Sequence, residues 1–205
     1  MRPLPRYLAL GDSYTVGEAV PAPGAWPAQL VDRLRAAGAA VAEPQIIAVT
    51  GWTCDELSRG MDAATLTPPY ALVTLQIGVN DQYRGHDVRD YRTRFAALLE
   101  RAIALAGNDA RRVVVVSIPD WGTTPFAHDK GLDAARIARE LDAYNAEARA
   151  QASRRGAYWC DITGLSRQHA GLLAADGLHP AAAQYALWCA RILPLACTAL
   201  AASVG

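Results

Sequence analysis

Short runs of apolar, often β-branched residues alternate along this chain with longer segments in which apolar residues recur every three or four positions. A run that begins with four valines at Val113 shows no alternation, which is typical of a strand buried on both faces. The short runs predict five β-strands, over Tyr7–Leu10, Ile46–Val49, Ala71–Ile77, Val113–Ile118 and Ala157–Ile162.

The longer segments predict helices between these strands. The clearest apolar stripe runs from Val88 to Ile103, and Pro180 suits the first position of a last helix. The other helices are expected over Gly24–Ala37, Asp55–Leu66 and Asp133–Ser153. Strands that alternate with helices predict an α/β protein, a three-layer α/β/α sandwich around a parallel sheet. No linker or repeat divides the sequence, so we expect one domain over residues 1–205.

The composition and the net charge limit the kinds of partner that the sequence suggests. With 52% hydrophobic and 20% charged residues, the chain is typical of a globular protein. Its 20 basic and 20 acidic residues cancel, which gives no electrostatic reason to expect nucleic acid or an acidic membrane as partner. A small molecule is the expected partner, and the oligomeric state stays open.

The cysteines and the two ends of the sequence bear on location. None of the four cysteines forms a C-x-x-C pair, so the sequence predicts buried free thiols in a reducing compartment and no zinc site. The segment Met1–Arg6 lacks the apolar core of a signal peptide, which favours a cytoplasmic location. The apolar stretch 181–202 contains Gln184, Arg191 and Pro194, and therefore predicts a buried helix with a proline kink or break rather than a membrane anchor.

Polar residues follow the carboxyl ends of the predicted strands, where ligands of such sheets bind. Gly11-Asp12-Ser13 follows the first strand, Thr50-Gly51 the second and Gly78-Val79-Asn80-Asp81 the third. Asp176 and His179 lie in the loop before the last helix. The topology can therefore bring all of these residues to one edge of the sheet.

These residues supply what ester cleavage by a serine requires. Ser13, in a turn, can act as nucleophile, and His179 as the base that takes its proton. Asp176, three residues earlier, can orient the imidazole from a tight loop. The backbone N–H groups of Ser13 and Gly51 and the side-chain amide of Asn80 can stabilise an oxyanion. Glycine also lets the chain approach a substrate closely.

Four sequence blocks, in order, resemble those of the GDSL/SGNH hydrolase family. Tyr14 stands where the family name has leucine. The blocks are Gly11-Asp12-Ser13-Tyr14-Thr15-Val16-Gly17, Val49-Thr50-Gly51-Trp52-Thr53, Gly78-Val79-Asn80-Asp81 and Asp176-Gly177-Leu178-His179. The resemblance implies a flavodoxin-like sheet in the order 2-1-3-4-5. It also implies hydrolase activity with neither a metal ion nor another cofactor.

Structural roles compete for several of these residues. Ser13 could be only a turn residue or a helix cap, Asn80-Asp81 a loop start, and Asp176 a cap of the last helix. The remaining histidines, His86, His128 and His169, have no partner at a diagnostic spacing and are expected at the surface.

Other functions compete as well. A metal-dependent phosphoesterase could use Asp12, Asp81, Asp176 and His179, and an inactive carbohydrate-binding module could share the fold. An α/β-hydrolase is disfavoured because Thr15 replaces the last glycine of its G-x-S-x-G elbow.

The expected substrate is an ester with a short acyl group, from acetyl to butyryl. Trp121 and Phe126 follow the fourth strand at the catalytic edge of the sheet, and they are candidates for the wall of an acyl pocket. Packing of their loop onto the domain is the alternative role. Acetylated sugars, lysophospholipids and acyl thioesters would fit the same catalytic residues.

Overall fold

Five strands form one parallel sheet in the order β2-β1-β3-β4-β5 in the computed structural model, which describes residues 3–202. The strands are β1 (Tyr7–Gly11), β2 (Pro44–Ala48), β3 (Leu72–Gln76), β4 (Val113–Val116) and β5 (Tyr158–Cys160). All five predicted strands are present, and the expected order 2-1-3-4-5 is confirmed. Met1 and Arg2, on which the signal-peptide interpretation partly rests, lie outside the described residues.

Helices connect these strands. They are α1 (Ser13–Val16), α2 (Trp26–Ala36), α3 (Cys54–Ala63), α4 (Val79–Tyr83), α5 (Val88–Leu105), α6 (Pro125–Asp129), α7 (Ala134–Arg155), α8 (Thr163–Gln168) and α9 (Ala182–Ala201). Single turns of 3₁₀-helix cover Ala22–Gly24 and Ala110–Arg112. The predicted long helices correspond to α2, α3, α5, α7 and α9. The short helices α1, α4, α6 and α8 were expected as loops, because so few residues cannot show an amphipathic period.

The strand order places the helices on both faces of the sheet. The chain steps from β1 outward to β2, and then crosses back over β1 to β3, β4 and β5. Because such crossovers are right-handed, this reversal puts α2 on one face and α3, α5 and α7 on the other. The packing agrees: α2 contacts α9, whereas α5 contacts both α3 and α7.

The core lies on both sides of the central strands. The valines of β4 are at most 2% exposed, which confirms the expectation of a strand buried on both faces. In the register between β1 and β3, Gly11 pairs with Gln76, so these two strands end side by side. The order of the sheet reverses at β1, and the cleft outside the ends of β1 and β3 is where ligands of such sheets bind.

The last helix differs from its prediction. Pro180 is not its first residue, since α9 begins at Ala182 with Ala181 as its N-cap. The reason is a short antiparallel contact: the N–H of Ala174 donates to the carbonyl of His179, and the N–H of Ala181 to that of Leu172, which keeps this segment extended. Pro194 lies inside α9 without ending it. Within residues 3–202, none of the helices combines the length and apolar character that a membrane crossing needs.

The cysteines are free thiols, as expected. Cys54, Cys160 and Cys189 are buried, whereas Cys197 is partly exposed. Burial raises the pKa of Cys160 and of Cys189 to about 12, so both thiols stay protonated near neutral pH.

Candidate active site

Ser13 is the first residue of α1, directly beyond the carboxyl end of β1. The sequence predicted a turn at Ser13, but the residue lies in a short helix that Asp12 caps. Oδ1 of Asp12 accepts a hydrogen bond of 3.1 Å from the N–H of Tyr14. The cap role considered for Ser13 therefore belongs to Asp12. The Ser13 hydroxyl, on a residue that is 5% exposed, faces the cleft at the edge of the sheet.

Asp176 and His179 share one tight turn. The Asp176 Oδ1 accepts hydrogen bonds of 3.0 Å from the N–H groups of both Leu178 and His179. Its Oδ2 lies 2.6 Å from Nδ1 of His179, and Nε2 of the same ring lies 3.0 Å from Oγ of Ser13. Hydrogen bonds thus connect Asp176 through His179 to Ser13, although Ser13 lies near one end of the sequence and the other two lie near the other end.

The electrostatics of this turn favour an ionised Asp176. Partial burial alone would raise the pKa of its carboxyl. The hydrogen bonds from the His179 ring and from the N–H groups of Leu178 and His179 outweigh that effect and lower the pKa. A carboxylate at this position orients the imidazole and stabilises the imidazolium when Nε2 takes a proton.

Asp12 lies in a different environment. Its side chain is fully buried, and burial together with the nearby Asp81 raises its pKa from 3.8 to about 7, although the Tyr14 N–H opposes the shift. The pKa values of two carboxyl groups near Ser13 are therefore shifted in opposite directions: that of Asp12, its neighbour in sequence, is raised, and that of Asp176, which reaches it through His179, is lowered.

Gly51 and Asn80 lie in the same cleft as Ser13 and His179. Gly51 has a φ of +88°, a conformation that strongly favours glycine. Within the described residues, the N–H groups of Ser13 and Gly51 donate to no other protein group. Asn80 is in α4, where its Nδ2 donates to the carbonyl of Trp52 at 2.9 Å. The three candidate oxyanion donors therefore face one volume.

A buried aspartate follows Asn80 in α4. Asp81, which is fully buried, accepts a hydrogen bond of 2.9 Å from the N–H of Cys54 and lies 3.1 Å from Nδ1 of His86. His86, expected at the surface without a partner at a diagnostic spacing, is partly exposed and lies beside Asp81, which the short helix α4 brings within its reach. Arg84, at the end of α4, contacts the turn that contains Gly51, since its guanidinium donates to the carbonyl of Gly51 at 2.6 Å.

The cleft itself has a volume of about 170 Å³ and a largely apolar wall. Trp121 and Phe126, the candidates for the wall of an acyl pocket, both line it. The N–H of Phe126, in α6, donates to the carbonyl of Gly177 at 3.1 Å, which ties this wall to the turn that carries His179. Further lining residues, to which the sequence analysis gave no role in the pocket, are Tyr14, Thr50, Val79, Tyr83 and Leu178.

The acidic residues proposed for a metal-dependent rival do not converge. Among residues 3–202, no three His, Cys, Asp or Glu side chains are grouped so that they could hold a metal ion. Asp81 is turned toward Cys54 and His86, whereas Asp176 is turned toward His179.

The chain is similar to known hydrolases in sequence and in fold. The model of the GDSL-like Lipase/Acylhydrolase family matches residues 9–187, which confirms the resemblance. None of the curated proteins matches the sequence.

Solved structures share the fold at low identity. TesA is 21% identical, with a TM-score of 0.73 over 93% of this chain and 97% of its own. Axe2, an acetylxylan esterase from Geobacillus stearothermophilus, is 18% identical, with a TM-score of 0.73 over 94% of both chains. Phospholipase A1 from Streptomyces albidoflavus is 20% identical, with a TM-score of 0.68 over 94% of this chain and 98% of its own.

Proposed function

The chain belongs to the GDSL-like lipase/acylhydrolase family and is a carboxylic ester hydrolase, and we propose that it cleaves esters of short acyl groups with Ser13 as the nucleophile. One observation carries the assignment of the residues. The chain from Asp176 through His179 to Ser13 is continuous, and it ends in a cleft that also contains Gly51 and Asn80. A nucleophile, its base and candidate oxyanion donors therefore share one volume.

The first half of the reaction forms an acyl-enzyme. Oγ of Ser13 attacks the ester carbonyl carbon while Nε2 of His179 takes the hydroxyl proton. The carbonyl oxygen becomes an oxyanion, which the N–H groups of Ser13 and Gly51 and the amide of Asn80 stabilise. The intermediate then collapses: the bond to the alcohol oxygen breaks, and the proton on His179 passes to that oxygen as the alcohol leaves.

The second half returns the enzyme to its starting state. A water molecule attacks the acyl carbon and gives one proton to Nε2 of His179. The bond between the carbonyl carbon and Oγ breaks, Ser13 regains the proton, and the carboxylic acid leaves. Asp176 stabilises the imidazolium in both halves without taking a proton, in keeping with its lowered pKa.

The apolar wall supports a short acyl group as the group that enters the cleft. Trp121 is only 4% exposed, and Phe126 is joined to the catalytic turn, so both rings are held close to the reacting atoms. Structures with this fold include an acetylxylan esterase and a phospholipase A1, so the fold accommodates both sugar esters and lipids. A lysophospholipid or an acyl thioester is therefore the alternative substrate for the same residues.

A panel of p-nitrophenyl esters from acetyl to decanoyl tests the substrate size. We expect the highest kcat/KM between acetyl and butyryl, with acetylated sugars and a lysophospholipid assayed in parallel. A wild type that prefers octanoyl or longer esters would show that the substrate size is wrong. p-Nitrophenyl phosphate, assayed in parallel, tests the phosphoesterase alternative, which predicts cleavage of this phosphate ester that is lost with a chelator and returns with a divalent ion. The serine mechanism predicts cleavage of the carboxylic esters that a chelator leaves unchanged.

A further inference from the structure

Three side chains, one from a loop and two from the helices α4 and α7, form a hydrogen-bonded chain that ends at the wall of the cleft. Nε1 of Trp121 donates to Oε1 of Gln82 at 2.9 Å, and Nε2 of Gln82 donates to Oε2 of Glu140 at 2.7 Å. An indole N–H can only donate, and an ionised carboxylate can only accept. The amide of Gln82 is the one group between them that satisfies both neighbours, and each neighbour fixes its orientation.

Burial makes this chain costly to break. Trp121 and Gln82 are 4% and 6% exposed, so an indole N–H that lost its acceptor would have little access to water. Glu140, in α7, is partly exposed and also lies 3.7 Å from Arg136. Its carboxylate is therefore a surface group whose hydrogen bond reaches, through Gln82, to a ring inside the cleft.

Two other rings complete the position of Trp121. Tyr83 and Phe126 meet it edge-to-face, with centroids 5.4 Å and 6.3 Å away. All three rings line the cleft that contains Ser13 and His179. The hydrogen bond that the indole donates to Gln82 fixes its polar edge, whereas the contacts with the two other rings are apolar and carry no such directional bond.

We propose that Gln82 is a specificity-determining positioning residue, which sets the longest acyl chain the enzyme accepts by holding Trp121 in place. The proposal rests on the proposed function, since it requires acyl groups to enter the cleft beside Trp121. Gln82 does not line the cleft and touches no reacting atom. It acts on the substrate only through the indole.

Replacing Gln82 with Met keeps a similar length and removes the acceptor. We expect the ratio of kcat/KM for hexanoyl over acetyl esters to rise about tenfold, because a displaced indole opens space worth one or two methylene groups. The change should lie mainly in KM for the longer ester, with kcat for the acetyl ester within about threefold of wild type. A merely structural role would instead lower stability and leave this ratio unchanged.

Glu140 supplies a second, more conservative test on a partly exposed side chain. Glu140→Gln can still accept from Gln82 through its amide oxygen, so the wild-type profile should persist. Glu140→Leu cannot accept, and we expect its profile to shift in the same direction as that of Gln82→Met. If Gln82→Met does not fold, the comparison of Glu140→Gln with Glu140→Leu tests the proposal by itself.

Gln151→Met is the matched control. Gln151 is also buried, lies in α7 outside the lining of the cleft, and accepts a hydrogen bond of 2.7 Å from Arg155. The Gln151→Met variant should be less stable than wild type but should show the same preference among acyl chains. Unchanged profiles in both Gln82→Met and Glu140→Leu would overturn the proposal. A wild type that prefers long chains would instead refute the proposed substrate size, whatever these variants do.

Discussion

The side-chain amide of Asn80 donates a hydrogen bond of 2.9 Å to the backbone carbonyl of Trp52, the residue that follows Gly51. An amide nitrogen carries two hydrogens, so one fixes the side chain against the Gly51 turn while the other remains for a ligand. Two of the three candidate oxyanion donors are thereby joined to each other. Their separation is set before any substrate binds, which is the preorganisation that stabilises a developing oxyanion.

Asn80→Ala is expected to lower kcat by about a hundredfold to a thousandfold with little change in KM, because it removes a donor that acts on the oxyanion. Asn80→Asp should lose at least as much, since a carboxylate has no N–H and repels the oxyanion. Steady-state kinetics with the acetyl ester measure both effects. A change confined to KM would place Asn80 in substrate binding instead.

Ser13→Ala is expected to reduce turnover by about a millionfold, because it removes the hydroxyl that attacks the ester in the proposed mechanism. The melting temperature should stay near that of wild type, since the one hydrogen bond of Oγ to residues 3–202 is with His179. Ser153→Ala, at an exposed position in α7, is the matched control and should keep full activity. Substantial residual activity in purified Ser13→Ala would refute the assignment.

Asp176→Asn should lower kcat by roughly a hundredfold to ten-thousandfold, because a neutral amide neither stabilises the imidazolium nor favours the required tautomer of His179. The lowered pKa of Asp176 adds a prediction for stability. A carboxyl with a depressed pKa in the folded state stabilises the protein above its ordinary pKa, and this contribution is lost as the pH falls through the folded value. Urea unfolding should therefore show wild type losing stability relative to Asp176→Asn only below about pH 4.

The pKa of Asp12 is shifted in the opposite direction from that of Asp176, so its effect on stability changes with pH in the opposite sense. Because its pKa is raised to about 7, folded protein holds a proton that the unfolded chain releases near its ordinary value of 3.8. Wild type should therefore lose stability relative to Asp12→Asn as the pH rises from about 4 to 7, by up to about 1.4 kcal/mol per pH unit.

Urea unfolding at pH 5 and pH 7 measures that difference. Asp133→Asn is the control, because Asp133 caps α7 in the same way but has a lowered pKa, so its difference should stay flat in this range. Parallel curves for wild type and Asp12→Asn would contradict the raised pKa.

The sheet was predictable because a strand that is buried on both faces is apolar at every position. The valines of β4 are apolar at every position, and the polar residues that follow β1 and β3 mark the ends at which ligands bind. The family blocks located Ser13, Asp176 and His179 for a related reason. Each block is a local stretch of chain, and the turn from Asp176 to His179 is formed entirely within four residues.

Interactions between distant elements could not be predicted. The hydrogen bond from Trp121 to Gln82 joins residues 39 positions apart, and that from Gln82 to Glu140 joins residues 58 apart. Nothing local distinguishes this glutamine from one at the surface. Two local features were missed for a different reason: the contact of His86 with Asp81 and the helical position of Ser13 both depend on helices of four or five residues, which are too short to show an amphipathic period.

The proposed nucleophile and base, Ser13 and His179, are 166 residues apart, and His179 lies just before the helix that packs against α2. Activity can therefore appear only after nearly all of the sheet has formed and α9 has docked beside it. A partly folded chain that stops short of this step has an intact Ser13 but no base within reach. Recovery of esterase activity during refolding is consequently a measure of the complete fold, and it should lag behind the recovery of helical signal in circular dichroism.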